Sequence, residues 1–88
     1  MTLEFRASFL KDLNSIRDRS ILRRVRETIA EVETASNALE IRNLKKLRTG
    51  GRYYRIRLGN YRLGLTIEDN TVSFIRLLHR REVYRYFP

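Results

Sequence analysis

Tyr53-Tyr54-Arg55-Ile56-Arg57-Leu58-Gly59-Asn60-Tyr61-Arg62-Leu63-Gly64-Leu65 is the stretch that decides the fold. Its period is 2, which places Tyr54, Ile56 and Leu58 on one face of a strand and Tyr53, Arg55 and Arg57 on the other. Gly59-Asn60 makes a two-residue hairpin turn, because both residues tolerate positive φ. With those two as the loop, Leu58 faces Tyr61, Arg57 faces Arg62, Ile56 faces Leu63 and Arg55 faces Gly64. One face of the hairpin is then apolar throughout, through Leu65 and Ile67. The other carries Arg55, Arg57 and Arg62 around the bare backbone of Gly64. Three guanidiniums beside a glycine are expected to form a floor that a phosphate or ribose can approach closely.

Upstream, the period is helical. Thr2–Arg6 reads as a short strand with Leu3 and Phe5 on one face. Ser8 is the expected N-cap of a helix to about Arg17, with Phe9, Leu10, Leu13 and Ile16 as its apolar stripe. Asp18 or Ser20 caps a second helix in which Leu22, Val25, Ile29 and Val32 recur at helical spacing, with Arg23–Glu27 as an i,i+4 pair on its wet side. That helix fades over the polar stretch Thr34–Asn37. Leu44-Lys45-Lys46-Leu47-Arg48 reads as a connector ended by Gly50-Gly51. Downstream of the hairpin, Asp69-Asn70 turns the chain into Thr71–Leu78, a strand apolar on both faces and therefore central. His79 to Pro88 is a polar, aromatic tail that can fold back beside the arginine face. The expected fold is α+β in a single domain, residues 1–88. It has an N-terminal strand, a two-helix hairpin and a three-stranded antiparallel meander, with the helices on one face of a four-stranded sheet and a short C-terminal tail.

The charge is as uneven as the periodicity. Residues 1–41 carry seven Lys/Arg against seven Asp/Glu, whereas residues 42–88 carry twelve against three, the whole of the net +9. Between Ile41 and Ile67 there is no acidic residue, yet Arg42, Lys45, Lys46, Arg48, Arg52, Arg55, Arg57 and Arg62 all fall there. Like charges opposed across a hairpin destabilise it, so the pattern points to a polyanionic partner, first of all a nucleic-acid backbone. With no Cys and one His, neither a disulfide framework nor a protein-built zinc site is expected. The opening residues, Met1 to Arg6, hold no long apolar run, so the reading includes no leader and no membrane span, and a cytoplasmic location.

Two tail residues are candidates for proton transfer: His79, a residue type that titrates near neutrality, and Tyr84, a phenol. Beside Arg55, Arg57, Arg62 and Arg80 they suit RNA cleavage by internal attack. A 2′-hydroxyl loses its proton, its oxygen attacks the adjacent phosphate, cations stabilise the phosphorane and an acid assists the leaving 5′-oxygen. No metal or other cofactor is required, and DNA, without the 2′-hydroxyl, is inert to such a site. Lys45, Lys46, Arg48, Arg52 and Arg81 form the wider electrostatic footprint, and Tyr53 could stack on a base or cover the sheet. Tyr86 and Phe87 read as aromatics that dock the tail.

The run Leu47…Tyr54-Arg55-Ile56-Arg57-Leu58-Gly59-Asn60-Tyr61-Arg62, followed by His79-Arg80…Val83-Tyr84, resembles the RelE toxins of bacterial toxin–antitoxin pairs, within the broader RelE/ParE superfamily. The resemblance covers nearly the whole chain. It implies a toxin that enters the ribosomal A site and cuts mRNA there. It also implies a cognate antitoxin as partner, with operator DNA contacted only through that antitoxin. By position, Arg55 and Arg57 stand where the RelE prototype has two functional lysines, Arg62 at its phosphate-contacting arginine, Arg80 at its arginine near the leaving group and Tyr84 at its catalytic tyrosine. Some relatives keep a histidine at the place of His79. Arginine in place of lysine is a poor base, which moves proton abstraction to Tyr84, His79 or the ribosome. The segment between Arg80 and Tyr84 is shorter than in the prototype. The alternative within the superfamily is a ParE-like toxin that binds DNA gyrase without chemistry, and a more distant one is a plain RNA-binding module. The antitoxin segment is expected to be acidic opposite Arg55, Arg57 and Arg62, with an apolar stripe laid in a groove beside Leu13 and Val25.

Overall fold

A computed structural model describes residues 1–49 and 51–88; Gly50, expected to end the connector with Gly51, lies outside the described residues. The elements run β1 (Thr2–Phe5), α1 (Ala7–Ser15), α2 (Arg19–Thr34), a 3₁₀ turn (Ala38–Glu40), β2 (Leu44–Lys46), β3 (Tyr53–Leu58), β4 (Tyr61–Glu68), β5 (Thr71–His79) and α3 (Val83–Tyr86). The strands form one sheet in the order β1-β5-β4-β3-β2. The class is α+β, with five strands where four were expected. The extra one is β2, read from sequence as a connector. It pairs antiparallel with β3 through Leu44↔Ile56, Lys45↔Arg55 and Lys46↔Tyr54. The sheet is mixed, because β1 runs parallel to β5.

The β3–β4 hairpin has the register its sequence dictates: Leu58↔Tyr61, Arg57↔Arg62, Ile56↔Leu63 and Arg55↔Gly64. Gly59 takes φ +60° in the turn, a conformation that favours glycine. β5 is an interior strand between β1 and β4. It carries one irregularity: Leu65 pairs with Phe74 but Gly64 with Arg76, so Ile75 is an extra residue on β5. Such a bulge reverses the faces of the residues beyond it.

The helices cover one face of the sheet. Phe9 of α1 and Ile21, Val25 and Val32 of α2 bury against Ile56, Leu58, Leu63, Leu65, Val72, Phe74 and Leu77. Several local expectations change here. Arg6, not Ser8, occupies the N-cap of α1. The Ser8 hydroxyl instead donates to the Ile75 carbonyl at 2.6 Å and satisfies the bulge. Leu10 leaves the apolar stripe and is exposed, because Phe9 and Leu13 define the face that meets the sheet. Asp18 does cap α2, accepting from the Ser20 and Ile21 amides. Among the described residues Arg23 and Glu27 form no ion pair; Glu31 of the same helix is taken by Arg42 at 3.1 Å. Val25 is only 2% exposed, so its own side chain is spent on the core rather than offered to an antitoxin stripe.

On the opposite face the tail builds a second, smaller core. Residues 83–86 form a single helical turn, and Leu78, Val83 and Phe87 bury together with Leu47, Tyr53 and Ile75 packed around them. The tail therefore crosses the arginine face rather than lying beside it. Among the described residues no helix is long and apolar enough to cross a membrane.

Candidate functional site

β3 and β4 alternate, so Arg55, Arg57 and Arg62 project together from the face that α1 and α2 leave bare. Arg62 is the most constrained of the three. Its Nη1 donates to the carbonyls of Gly59 at 2.8 Å and Tyr61 at 2.9 Å, which pins the guanidinium against its own hairpin turn. Arg80 joins it because the Arg80 amide donates to the Asn60 carbonyl at 2.7 Å, tying the start of the tail to that turn. Burial, and then the fields of Arg55, Arg57 and Arg80, push the Arg62 pKa down from its ordinary value, while Tyr84 pulls it the other way. Four guanidiniums and one phenol thus share an electrostatic neighbourhood. The ion pairs among the described residues lie elsewhere: Arg42–Glu31, Arg52–Glu68 and Arg76–Asp12.

Arg55 sits opposite Gly64, and the expected open floor is occupied. A Cβ placed on Gly64 would lie 2.8 Å from the Phe87 ring, so the ring rests on the bare glycine backbone. The approach the sequence reserves for a phosphate is filled by the chain's own aromatic. Beneath it the Arg55 Nε is buried and has no hydrogen-bond partner among the described residues. Tyr84 follows Val83 on the tail helix. Val83 and Phe87, four apart, point inward, and Tyr84 projects outward with 76% of its surface exposed. It stands at the rim of a groove of about 320 Å³ shared with Lys45, Lys46, Arg48, Arg55 and Phe87.

The remaining sequence candidates divide. Lys45, Lys46 and Arg48 line the groove and extend the positive surface along the sheet edge. Arg52 is drawn away: its Nη1 is 2.6 Å from the Glu68 carboxylate. Tyr53 packs edge-on to Phe87 at 5.8 Å between ring centroids and belongs to the small core rather than to a stacking platform. His79 pairs with Tyr61 in the sheet and meets its ring at 5.6 Å, on the helix-covered side. It lines a different cavity with Ser15 and Ile16, and its Nδ1 accepts from the Arg81 amide at 3.2 Å. The structure therefore groups Arg55, Arg57, Arg62, Arg80 and Tyr84 and leaves His79 out. Gly64 and Phe87 are the residues of the site whose pairing sequence reasoning missed.

Chemically, the group supplies permanent positive charge and one side chain, Tyr84, able to move a proton. Arginine forks match phosphate oxygens but do not deprotonate near neutrality.

Residues 3–84 match the family described as "ParE toxin of type II toxin-antitoxin system, parDE". The chain is similar to Toxin RelE3 of Methanocaldococcus jannaschii, 36% identical over 89 residues and covering 100% of both chains. Among solved structures it is similar to the toxin of the RelB-RelE antitoxin-toxin complex from Methanococcus jannaschii, with TM-score 0.81, 38% identity and 97% and 99% of the two chains covered. It is also similar to the archaeal RelE-RelB complex from Pyrococcus horikoshii OT3, with TM-score 0.72, 25% identity and coverage of 90% and 93%.

Proposed function

Because the chain belongs to the RelE/ParE family of toxins from type II toxin–antitoxin systems, we propose that it is a ribosome-dependent, metal-independent mRNA endonuclease held inactive by a cognate antitoxin. The observation that carries this reading is the convergence of Arg55, Arg57, Arg62 and Arg80 on one face with the phenol of Tyr84 at its rim. A protein that only docks on another needs neither four converging guanidiniums nor an exposed proton carrier beside them.

The reaction follows from those groups. The 2′-oxygen, once deprotonated, attacks its own 3′-phosphate and the pentacoordinate phosphorane forms with extra negative charge. Arg62, already held by two backbone carbonyls, meets that charge without reorganising. Arg80 sits next to it and neutralises charge on the leaving side, while Arg55 and Arg57 bind the scissile and neighbouring phosphates. Tyr84 transfers a proton at either the attacking or the leaving oxygen. The products are a 2′,3′-cyclic phosphate and a 5′-hydroxyl. An arginine face crossed only by its own short tail grips phosphate but does little to hold a 2′-hydroxyl in line, and the ribosome supplies that positioning.

The antitoxin is inferred on the pattern of the relatives, which were solved as antitoxin–toxin complexes. An acidic segment covering Arg55, Arg57 and Arg62 would both neutralise the face and add bulk that excludes the toxin from the ribosome. A second reading comes from the matched family's description as ParE: binding of DNA gyrase without chemistry. Induction without the antitoxin separates the two. The nuclease reading expects protein synthesis to stop first with message cut; DNA synthesis stopping first over intact message would replace it with the gyrase reading.

A further inference from the structure

The tail helix is one turn long, four residues, with no side-chain cap, and a helix so short has no stability of its own. What holds it is packing on the sheet. Phe87 closes the turn, its amide donating to the Val83 carbonyl at 2.8 Å. Its ring is 3% exposed and flanked edge-on by Tyr53. The seat beneath is Gly64: a Cβ there would stand 2.8 Å from the ring Cγ and Cδ2 and 2.9 Å from Cδ1. Any other residue at 64 lifts the ring. The neighbouring bulge delivers Ile75 to the same cluster. Tyr84 has no comparable anchor, since its side chain points into solvent.

We propose that Phe87 is a positioning residue: seated on Gly64, its ring fixes the height and tilt of the tail helix and so holds Tyr84 over the arginine face. This rests on the nuclease reading for its consequence in catalysis, but not for its geometry. The small core lies across the sheet from the main one, where Phe9, Phe74 and Leu65 are buried. Loss of the Phe87 ring should therefore release the tail without unfolding the domain. A displacement of about 1 Å at the reacting groups is enough to lower a rate on the order of 100-fold.

The test is a double-mutant cycle of Phe87→Ala and Tyr84→Phe, read as single-turnover cleavage of ribosome-bound message, with 3-fluorotyrosine at position 84 followed by fluorine NMR. Phe87→Ala should lower the cleavage rate on the order of 100-fold with ribosome affinity unchanged, and cost nothing further once Tyr84 is Phe. The fluorotyrosine signal should move toward that of free 3-fluorotyrosine. Gly64→Ala should reproduce both effects from the other side of the contact, and Phe87→Leu should restore part of the rate. If Phe87→Ala melts with the whole domain, Gly64→Ala and Phe87→Leu decide the question. Multiplying losses in the cycle, or an unchanged fluorotyrosine signal, would overturn the proposal. A wild-type protein that cuts no message would refute the nuclease reading alone, and the NMR comparison would still decide the positioning.

Discussion

Arg57 and Arg62 face each other directly across the β3–β4 hairpin, two like charges in register, with Arg62 anchored to Gly59 and Tyr61 and Arg57 free in solvent. Opposed like charges destabilise a strand pair, so the arrangement is a local cost that the main core offsets on the other face. Arg57→Gln should accordingly raise the melting temperature slightly, by the equivalent of about 0.2–1 kcal/mol, while weakening activity. Thermal melting beside a cleavage assay checks both halves; a loss of stability would contradict the account.

Arg62→Ala and Arg80→Ala should each lose about 2–4 kcal/mol of transition-state stabilisation, the range for one preorganised donor. Arg62→Lys should rescue little, because a single ammonium cannot hold the Gly59 and Tyr61 carbonyls and a phosphate together. Single-turnover rates on programmed ribosomes measure the loss.

Tyr84→Phe should abolish most of the chemical step, whereas His79→Ala should leave it nearly intact. His79 lies against Tyr61 on the helix side, away from the arginines. Equal losses from the two substitutions would mean that the imidazole reaches the substrate after all.

Asp12 fastens α1 to the stretch of β5 that β1 leaves unpaired. It accepts from Arg76 Nε at 2.7 Å, Arg76 Nη2 at 3.2 Å and the Leu77 amide at 2.9 Å. Asp12→Ala should cost about 1.5–3 kcal/mol, the range for hydrogen bonds to a charged group. Denaturant unfolding would show it as a lower midpoint at unchanged slope.

Acid should weaken the fold through two carboxylates. Asp18 is held below the ordinary range first by the Ser20 hydroxyl and then by the Ile21 and Ser20 amides; Glu31 is held down chiefly by Arg42. A lowered folded-state pKa stabilises above the unfolded value, near 4, and that stabilisation is lost as pH falls through the folded one. Melting temperature should be flat from about pH 5 to 8 and drop below about 4. Asp18→Asn with Glu31→Gln should flatten the drop while Asn still caps α2.

How much of this the sequence discloses depends on the range of the interaction involved. The hairpin register needs only a period of 2 and a two-residue turn, so every pair from Leu58↔Tyr61 to Arg55↔Gly64 is legible. β2 is not, since Leu44-Lys45-Lys46 is too short to show alternation. The side on which His79 lies turns on a single bulged residue. Without Ile75 as an extra residue, Val72 and Phe74 on the core side would put His79 on the arginine face; with it, Leu77 and His79 join the core side. Arg52 is lost from the footprint by pairing with Glu68, sixteen residues away. The seat of Phe87 on Gly64 depends on the absence of a Cβ at one position and the return of the tail to it, which no local pattern records.

The most direct measurement uses ribosomes programmed with a message carrying one 2′-deoxynucleotide at the position cut in the all-ribose message. The protein should cut the all-ribose message on ribosomes, leaving a 2′,3′-cyclic phosphate and a 5′-hydroxyl, and leave the deoxy-substituted one whole at that position. Cleavage at the deoxy position, or an all-ribose message that stays intact on ribosomes, would contradict the account.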